Sequence, residues 1–340
     1  MTLSLTSPEA VVAAAPHLLG FHPRDSVVVI WLTDRQIALT QRVDTADAVS
    51  HPDVLTDVSA NHLFNEAIML CYDGSPDLYA PVIHAMAATD CTIRDVLHVT
   101  EHGTYWVSLL HAGTDDDGPN RHHVTDATRA RAADLFAGLG APAPVSSRES
   151  LALTARLNPR WRTHLSAVRR ALPAGDPAAR DTARDLLITE TLTAITTPLP
   201  AEPAAGPANP TGPDRDACLA FFLRDIRVRD ALVWHLTRLN SDTLTVAYDT
   251  FVRAALCVPA DHAAPAATCA GLAAYLGGDG ARANIAVGYA LASEPDYSLA
   301  RMLATSLTAA LSPQTYRDAM AGLTYDSCRY GTAAPTTAHP

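Results

Sequence analysis

Four polar residues crowd one short stretch, His17, His22, Asp25 and Ser26, within Pro16-His17-Leu18-Leu19-Gly20-Phe21-His22-Pro23-Arg24-Asp25-Ser26. A serine beside an imidazole and a carboxylate has the groups needed for nucleophilic or acid–base chemistry. The same groups can hold a polar ligand by hydrogen bonding. No Gly-x-Ser-x-Gly turn is present, and residues so close in sequence rarely form a triad. The plainer structural account has Asp25 or Ser26 bonding loop amides, Pro23 stiffening the turn and His17 capping a helix end. Arg42 and Asp44 flank Val43, so on a strand they share one sheet face. They could bind a polar ligand or pair with each other. Asn284 follows the glycine-rich turn Gly277-Gly278-Asp279-Gly280 and either bonds nearby backbone or faces a pocket.

Metal and cofactor motifs are missing. Ten of the 14 histidines fall within residues 1–123, which raises the question of a metal. However, no His-Glu-x-x-His, facial-triad or Cys/His spacing occurs. His122-His123 lies in an expected loop, where adjacent side chains diverge. Asp115-Asp116-Asp117-Gly118 lacks the alternating ligands and closing Glu of a calcium loop. All 25 basic residues are arginine, which excludes Schiff-base and P-loop lysine chemistry. The turn at 277–280 opens a helix, with Asp279 as its cap, but no strand precedes it, so the dinucleotide context is absent. Close helix–helix packing is the better account of its small residues. No cofactor and no metal are expected.

The elements that must position these residues follow from hydrophobic period and turn chemistry. Ser7, Pro8 and Glu9 read as a helix start, and that helix runs to about Leu19 and closes at Gly20. Val27–Leu32 is a buried strand. Thr33-Asp34-Arg35 turns it into a hairpin with Gln36–Val43. Val54–Phe64, Asp77–Thr89 and Val124–Leu139 read as helices. Ala67–Tyr72, Ile93–Val99 and Thr104–Leu110 read as strands. The expected fold class is therefore an α/β N-terminal domain, a mixed sheet flanked by helices, followed by a mainly α-helical C-terminal domain. In the second part, helices are expected over Leu151–Leu157, Trp161–Leu172, Asp181–Ile195, Asp216–Leu223, Val228–Leu239, Thr243–Cys257, Ala266–Leu276, Ala281–Ala292 and Asp296–Leu311. The expected organisation is an α/β domain over 1–145, a helical segment over 146–197 and a helical domain over 214–328. Residues 198–213, with six prolines, are expected to be a disordered linker, and residues 329–340 a disordered tail.

Charge and cysteine content narrow the function classes. Residues 1–148 hold 8 Arg against 18 Asp and Glu, whereas residues 149–340 hold 17 against 18. The acidic first half repels phosphate backbones. Arg156, Arg160, Arg162, Arg169 and Arg170 beside Trp161 form a basic helical stretch that reads as a solvated face. Nucleic acid is therefore not an expected partner. The six cysteines form no Cys-x-x-Cys pair, and Cys71, Cys218 and Cys257 sit in apolar surroundings, where free cysteine packs as a small hydrophobe. The first 16 residues do not read as a secretion signal, and no apolar run reaches membrane-spanning length. A cytoplasmic location without membrane contact is expected.

The chain resembles the family known as domain of unknown function 4192, described for high-G+C bacteria. The resemblance rests on PHLLGFHPRDSVVVIWL at 16–32, Arg42-Val43-Asp44, Ser147-Arg148-Glu149-Ser150-Leu151 and Val228-Arg229-Asp230. Two late blocks also carry it, Gly278-Asp279-Gly280-Ala281 to Asn284-Ile285-Ala286 and Pro295-Asp296-Tyr297-Ser298-Leu299-Ala300-Arg301-Met302-Leu303. Members often carry a paired-Trp segment and Cys-Cys-Pro, where this chain has Tyr105-Trp106 and then Asp115-Asp116-Asp117-Gly118. The resemblance implies a layout and no activity. The expected function is a non-catalytic protein that binds a small-molecule ligand or a protein partner. The candidate ligand-binding residues are His17, His22, Asp25, Ser26, Arg42, Asp44 and Asn284. The alternatives are a hydrolase or transferase at the edge of the N-terminal sheet, using His22, Asp25 or Ser26 with Asp44, and a helical scaffold for a partner.

Overall fold

A computed structural model describes residues 7–61, 64–111, 121–139, 141–172, 176–196 and 213–331. The chain divides into two compact units, Met1–Leu151 and Ala152–Pro340.

In the first unit, helix α1 (Pro8–Leu19) starts where Ser7 accepts the Ala10 N–H, and Gly20 closes it at φ 77°. That left-handed conformation is open to glycine at little cost. Strand β1 (Ser26–Thr33) is followed by β2 (Gln36–Asp44), and the two-residue turn between them has both Asp34 and Arg35 at positive φ. This is the turn geometry whose twist matches a hairpin. Helices α2 (Thr45–Ser50) and α3 (Asp53–Asn61) lead to strand β3 (Glu66–Tyr72). A single 3-10 turn at Pro76–Tyr79 and helix α4 (Ala80–Ala87) then cross over to β4 (Thr92–Thr100). Strands β5 (Tyr105–Ser108) and β6 (His122–His123) and helix α5 (Asp126–Gly138) complete the unit.

The six strands lie in the order β2-β1-β3-β4-β5-β6. Only β3 and β4 run parallel, and every other neighbouring pair is antiparallel. The expected mixed sheet flanked by helices is therefore present. Val27 through Trp31 are fully buried, so β1, paired on both sides, is the centre of this core and shows no in–out alternation.

Several boundaries differ from expectation. α3 ends at Asn61 rather than Phe64, and the helix expected from Asp77 begins as a 3-10 turn. β5 stops at Ser108. His122-His123 is a short edge strand rather than a loop. It pairs with Tyr105 and Trp106, and His122 stacks on Trp106 with ring centroids 4.4 Å apart.

The second unit is helical among its described residues. It comprises α6 (Trp161–Ala171), α7 (Pro177–Thr196), α8 (Pro213–Phe222), α9 (Ile226–Leu236) and α10 (Ser241–Leu256). These are followed by α11 (Ala260–Leu276), α12 (Gly280–Ser293), α13 (Ser298–Thr308), α14 (Pro313–Ala321) and α15 (Tyr325–Tyr330). Its core is built largely from α10 and α11 with α8, α9 and α12 around them. α11 begins six residues before the expected Ala266 and carries Pro265 inside it. A proline there cannot donate to the carbonyl four residues back. The Arg224 guanidinium takes up that freed Asp261 carbonyl at 2.9 Å.

The helix expected over Leu151–Leu157 does not form. A 3-10 turn spans Arg148–Leu151, and the chain from Ala152 to Asn158 has no helical structure. Pro159 disfavours helical backbone at Asn158. The amides of Arg156 and Asn158 instead donate to Leu256 O at 2.7 Å and Cys257 O at 2.8 Å. Those carbonyls lie at the C-terminal end of α10, where a helix leaves its acceptors free. The linker expected over 198–213 lies outside the described residues except for Pro213, which opens α8. Of the expected tail over 329–340, residues 332–340 lie outside the described residues, and Arg329 and Tyr330 are helical. Arg329 belongs to α15, is fully buried and bonds Asp181 and Asp185 of α7. Cys71 and Cys257 are buried as expected of small hydrophobes, but Cys218 is only partly so.

Candidate functional site

β1 enters the sheet at the edge where β2, β3 and β4 leave it. Antiparallel and parallel partners opposite one another project from the same face. The register therefore lays Asp44, Ser26, Tyr72, Val99, Trp106 and His122 in one row across all six strands. Arg42 stands one row behind on that face, opposite Val28. The next row, on the other face, is Val43, Val27, Cys71, His98 and Val107. Tyr79 packs on that second face, its ring centroid 6.1 Å from that of His98.

The first row carries a chemical anomaly. Ser26 Oγ, Tyr72 Oη, Trp106 Nε1 and Arg42 Nε are all buried, and none has a hydrogen-bond partner. A buried polar atom left unpaired costs about 1–3 kcal/mol. Only six such side-chain atoms occur among the described residues, and four of them lie on one face of this sheet. Indole and guanidinium nitrogens only donate, while the two hydroxyls can donate or accept. The complement of this row is therefore rich in acceptor oxygens. Burial drives the Tyr72 phenol well above its ordinary range, so it stays a neutral donor.

The loops at this edge are held in unusual backbone. Asp25, Asp73, Gly74, Glu101, His102 and Gly103 all have positive φ. Asp25 N donates to Asp73 Oδ2 at 3.2 Å, and Asp25 O accepts from Thr45 N at 2.9 Å. Tyr79 Oη is shared between Tyr72 O at 2.6 Å and Asp73 O at 2.8 Å. His98 Nε2 donates to Asp73 O at 3.1 Å and Gly74 O at 3.2 Å, which fixes the proton on Nε2. Two side chains, Tyr79 from the crossover and His98 from β4, thus clamp the turn that follows β3. Cys71 beside them is fully buried, and burial pushes its thiol up to about 12.

The predicted residues are only partly gathered. Arg42 pairs with Asp44 at 2.7 Å and donates to Arg24 O at 3.3 Å, while Arg148 stands 3.8 Å from the other Asp44 oxygen. Ser26, Arg42, Asp44 and Asp25 therefore share one sheet edge. His17 is turned to the helices, stacked on Phe136 of α5 at 5.0 Å. Burial, then the nearby His22, lowers its pKa. The His22 amide donates to Val145 O. Partial burial and then the Arg129 and Arg24 guanidiniums hold its imidazole below the usual range. Ser26 is fully buried, and its Oγ has no hydrogen-bonded base. Asn284 belongs to the second unit, is exposed, and donates to Gly280 O of its own helix at 2.9 Å. Tyr72, Tyr79, His98 and Trp106 were not singled out from sequence. Each sits in a strand or helix pattern that reads simply as core; cross-strand register sets Tyr72 and Trp106 in the row of Ser26, and His98, with Tyr79 against it, on the other face.

The architecture defines a class, a mixed α/β sheet unit with a polar, donor-rich row followed by a helical unit. The model of the family described as Domain of unknown function (DUF4192) matches residues 8–314. The chain belongs to that family. No match was found among curated proteins or among solved structures. No helix is long and apolar enough to cross a membrane, and no group of three or more His, Cys, Asp or Glu side chains is placed to hold a metal ion, both among the described residues.

Proposed function

We propose that the first unit is a non-catalytic binding module for a small, acceptor-rich polar molecule, seated on the Ser26–Tyr72 row at the sheet edge. The carrying observation is the set of four buried, unpartnered polar atoms, Ser26 Oγ, Tyr72 Oη, Trp106 Nε1 and Arg42 Nε. Ser26 and Tyr72 are direct cross-strand neighbours, about 5 Å apart at the backbone. Trp106 lies two strands further on, about 10 Å away, a span that suits a molecule larger than a single water. A ligand carboxylate, phosphate or carbonyl would complete these donors and leave Asp44 paired to Arg42. Buried water is the competing occupant. Thermal-shift screening of the full chain against carboxylate, phosphate and nucleoside metabolites decides between them. Stabilisation by one of these, lost in both Ser26→Ala and Tyr72→Phe, supports the reading. A panel without effect, or stabilisation that survives both substitutions, overturns it.

A further inference from the structure

The second unit brings a thiol, an imidazole and a carboxylate into line. Asp214 and Cys218 stand four residues apart on α8 and so share a helix face. His164 comes from α6, which packs on α8. Cys218 Sγ lies 3.7 Å from His164 Nδ1, and His164 Nε2 lies 3.0 Å from Asp214 Oδ1. The carboxylate is anchored in turn: Asn158 Nδ2 donates to the same oxygen at 3.0 Å, and Arg160 pairs with the other. The Asn158 hydrogen bond first, then His164 and Arg160, hold Asp214 below the usual carboxylate range. An ionised carboxylate only accepts, so Nε2 carries the imidazole proton and Nδ1 presents its lone pair to sulfur. Among the six cysteines only Cys218 is not buried. A nucleophile, its base and the group that orients the base stand in the order that activates weak nucleophiles on unrelated folds.

We infer that Cys218 is a nucleophile toward activated acyl groups, esters or thioesters, with His164 as its general base and Asp214 as the positioning residue. The thiol proton passes to His164 Nδ1 as sulfur bonds to the acyl carbon. The bond from that carbon to the leaving oxygen or sulfur breaks, and the leaving group takes the proton back from His164. Asp214 offsets the transient imidazolium charge. Water then cleaves the S-acyl bond, again giving a proton to His164 and returning the thiol. Burial, then Asp214 and Glu190, pushes the resting thiol up to about 11. The resting thiol therefore keeps its proton, and proton transfer to His164 accompanies attack.

The test uses the full-length chain with p-nitrophenyl acetate, followed by p-nitrophenolate release and peptide mass mapping. Acetylation is expected at Cys218 and not at the five buried cysteines. It should disappear in Cys218→Ser and slow on the order of a hundredfold in His164→Gln, with circular dichroism confirming that both variants fold. The Asp214→Asn variant should keep the thiol but alter the pH profile of acetylation. Acetyl groups absent from Cys218 or spread over all cysteines, or a folded His164→Gln variant at full rate, would each overturn the inference.

Discussion

Tyr79 shows how one side chain fixes the turn that the candidate site is built on. It is fully buried, and its hydroxyl is the hydrogen-bond partner of both Tyr72 O and Asp73 O. Removing that hydroxyl leaves two buried carbonyls short of a donor, although His98 still serves Asp73. Tyr79→Phe is therefore expected to lower unfolding free energy by about 1–3 kcal/mol in urea titration. An unchanged midpoint would show that the turn is held by His98 alone. His17 makes a pH prediction. Its folded-state pKa lies below 6.5, because its ring is partly buried against Phe136. A depressed base binds fewer protons folded than unfolded, so its contribution is complete above 6.5 and is lost as pH falls through that value towards the folded pKa. His17→Leu should flatten the fall in melting temperature between about pH 7 and pH 5. An equally steep fall in that variant would assign the effect elsewhere, first of all to His22.

At the scale of elements, α11 and α12 pack closely because their shared face is made of small residues. A Cβ built on Gly271 would stand 2.8 Å from Val287 Cγ2 and 3.3 Å from Ala283 O. Helix propensity alone favours alanine over glycine by about 1 kcal/mol. Overpacking a core costs about 1–3 kcal/mol, and here one neighbour is a backbone carbonyl that cannot rotate away. Gly271→Ala is therefore expected to destabilise, by on the order of 1 kcal/mol, in denaturant unfolding. A stabilised variant would mean that the helices can separate freely. The same face holds the small residues Ala283, Ala286 and Ala290 of α12, all buried, where the sequence reading expected close helix–helix packing. α9 depends on a different device. Asp225 accepts the Arg227 amide at its start and also pairs with Arg184 of α7 at 2.7 Å. Asp225→Ala should cost about 1–2 kcal/mol through the lost cap, more than Arg184→Ala, which leaves the cap in place.

The whole molecule contains two cores, and each should answer for itself. The first is the sheet centred on β1, and the second is the helical assembly around α10 and α11. Hydrogen exchange on the full chain is expected to show Gly271→Ala loosening peptides within 152–331 and leaving those within 7–151 unchanged, with Tyr79→Phe doing the reverse. Uniform loosening in either variant would show one cooperative unit instead of two. The acidic bias of the first unit is a matter of composition, 8 Arg against 18 Asp and Glu in residues 1–148. The candidate site depends instead on four atoms inside the sheet, which charge counts do not register.

The amino-acid sequence by itself determined the elements whose signals are local. Ser7, Pro8 and Gly20 bound α1 through a side-chain cap and a left-handed closing residue, and the apolar run Val27–Leu32 marks β1, since turn chemistry and hydrophobic period need no distant partner. It also placed Arg42 and Asp44 on one face, because alternation along a strand is fixed by the backbone. Tertiary structure alone decided what those elements meet. The row joining Ser26 to Tyr72 and Trp106 depends on strand order and register, and the contact of Cys218 with His164 joins residues more than fifty positions apart. The stretch before Pro159 reads as helix by periodicity yet is drawn straight by the free carbonyls at the end of α10. Backbone amides take whichever acceptors folding brings within reach, and that choice is made in space rather than along the chain.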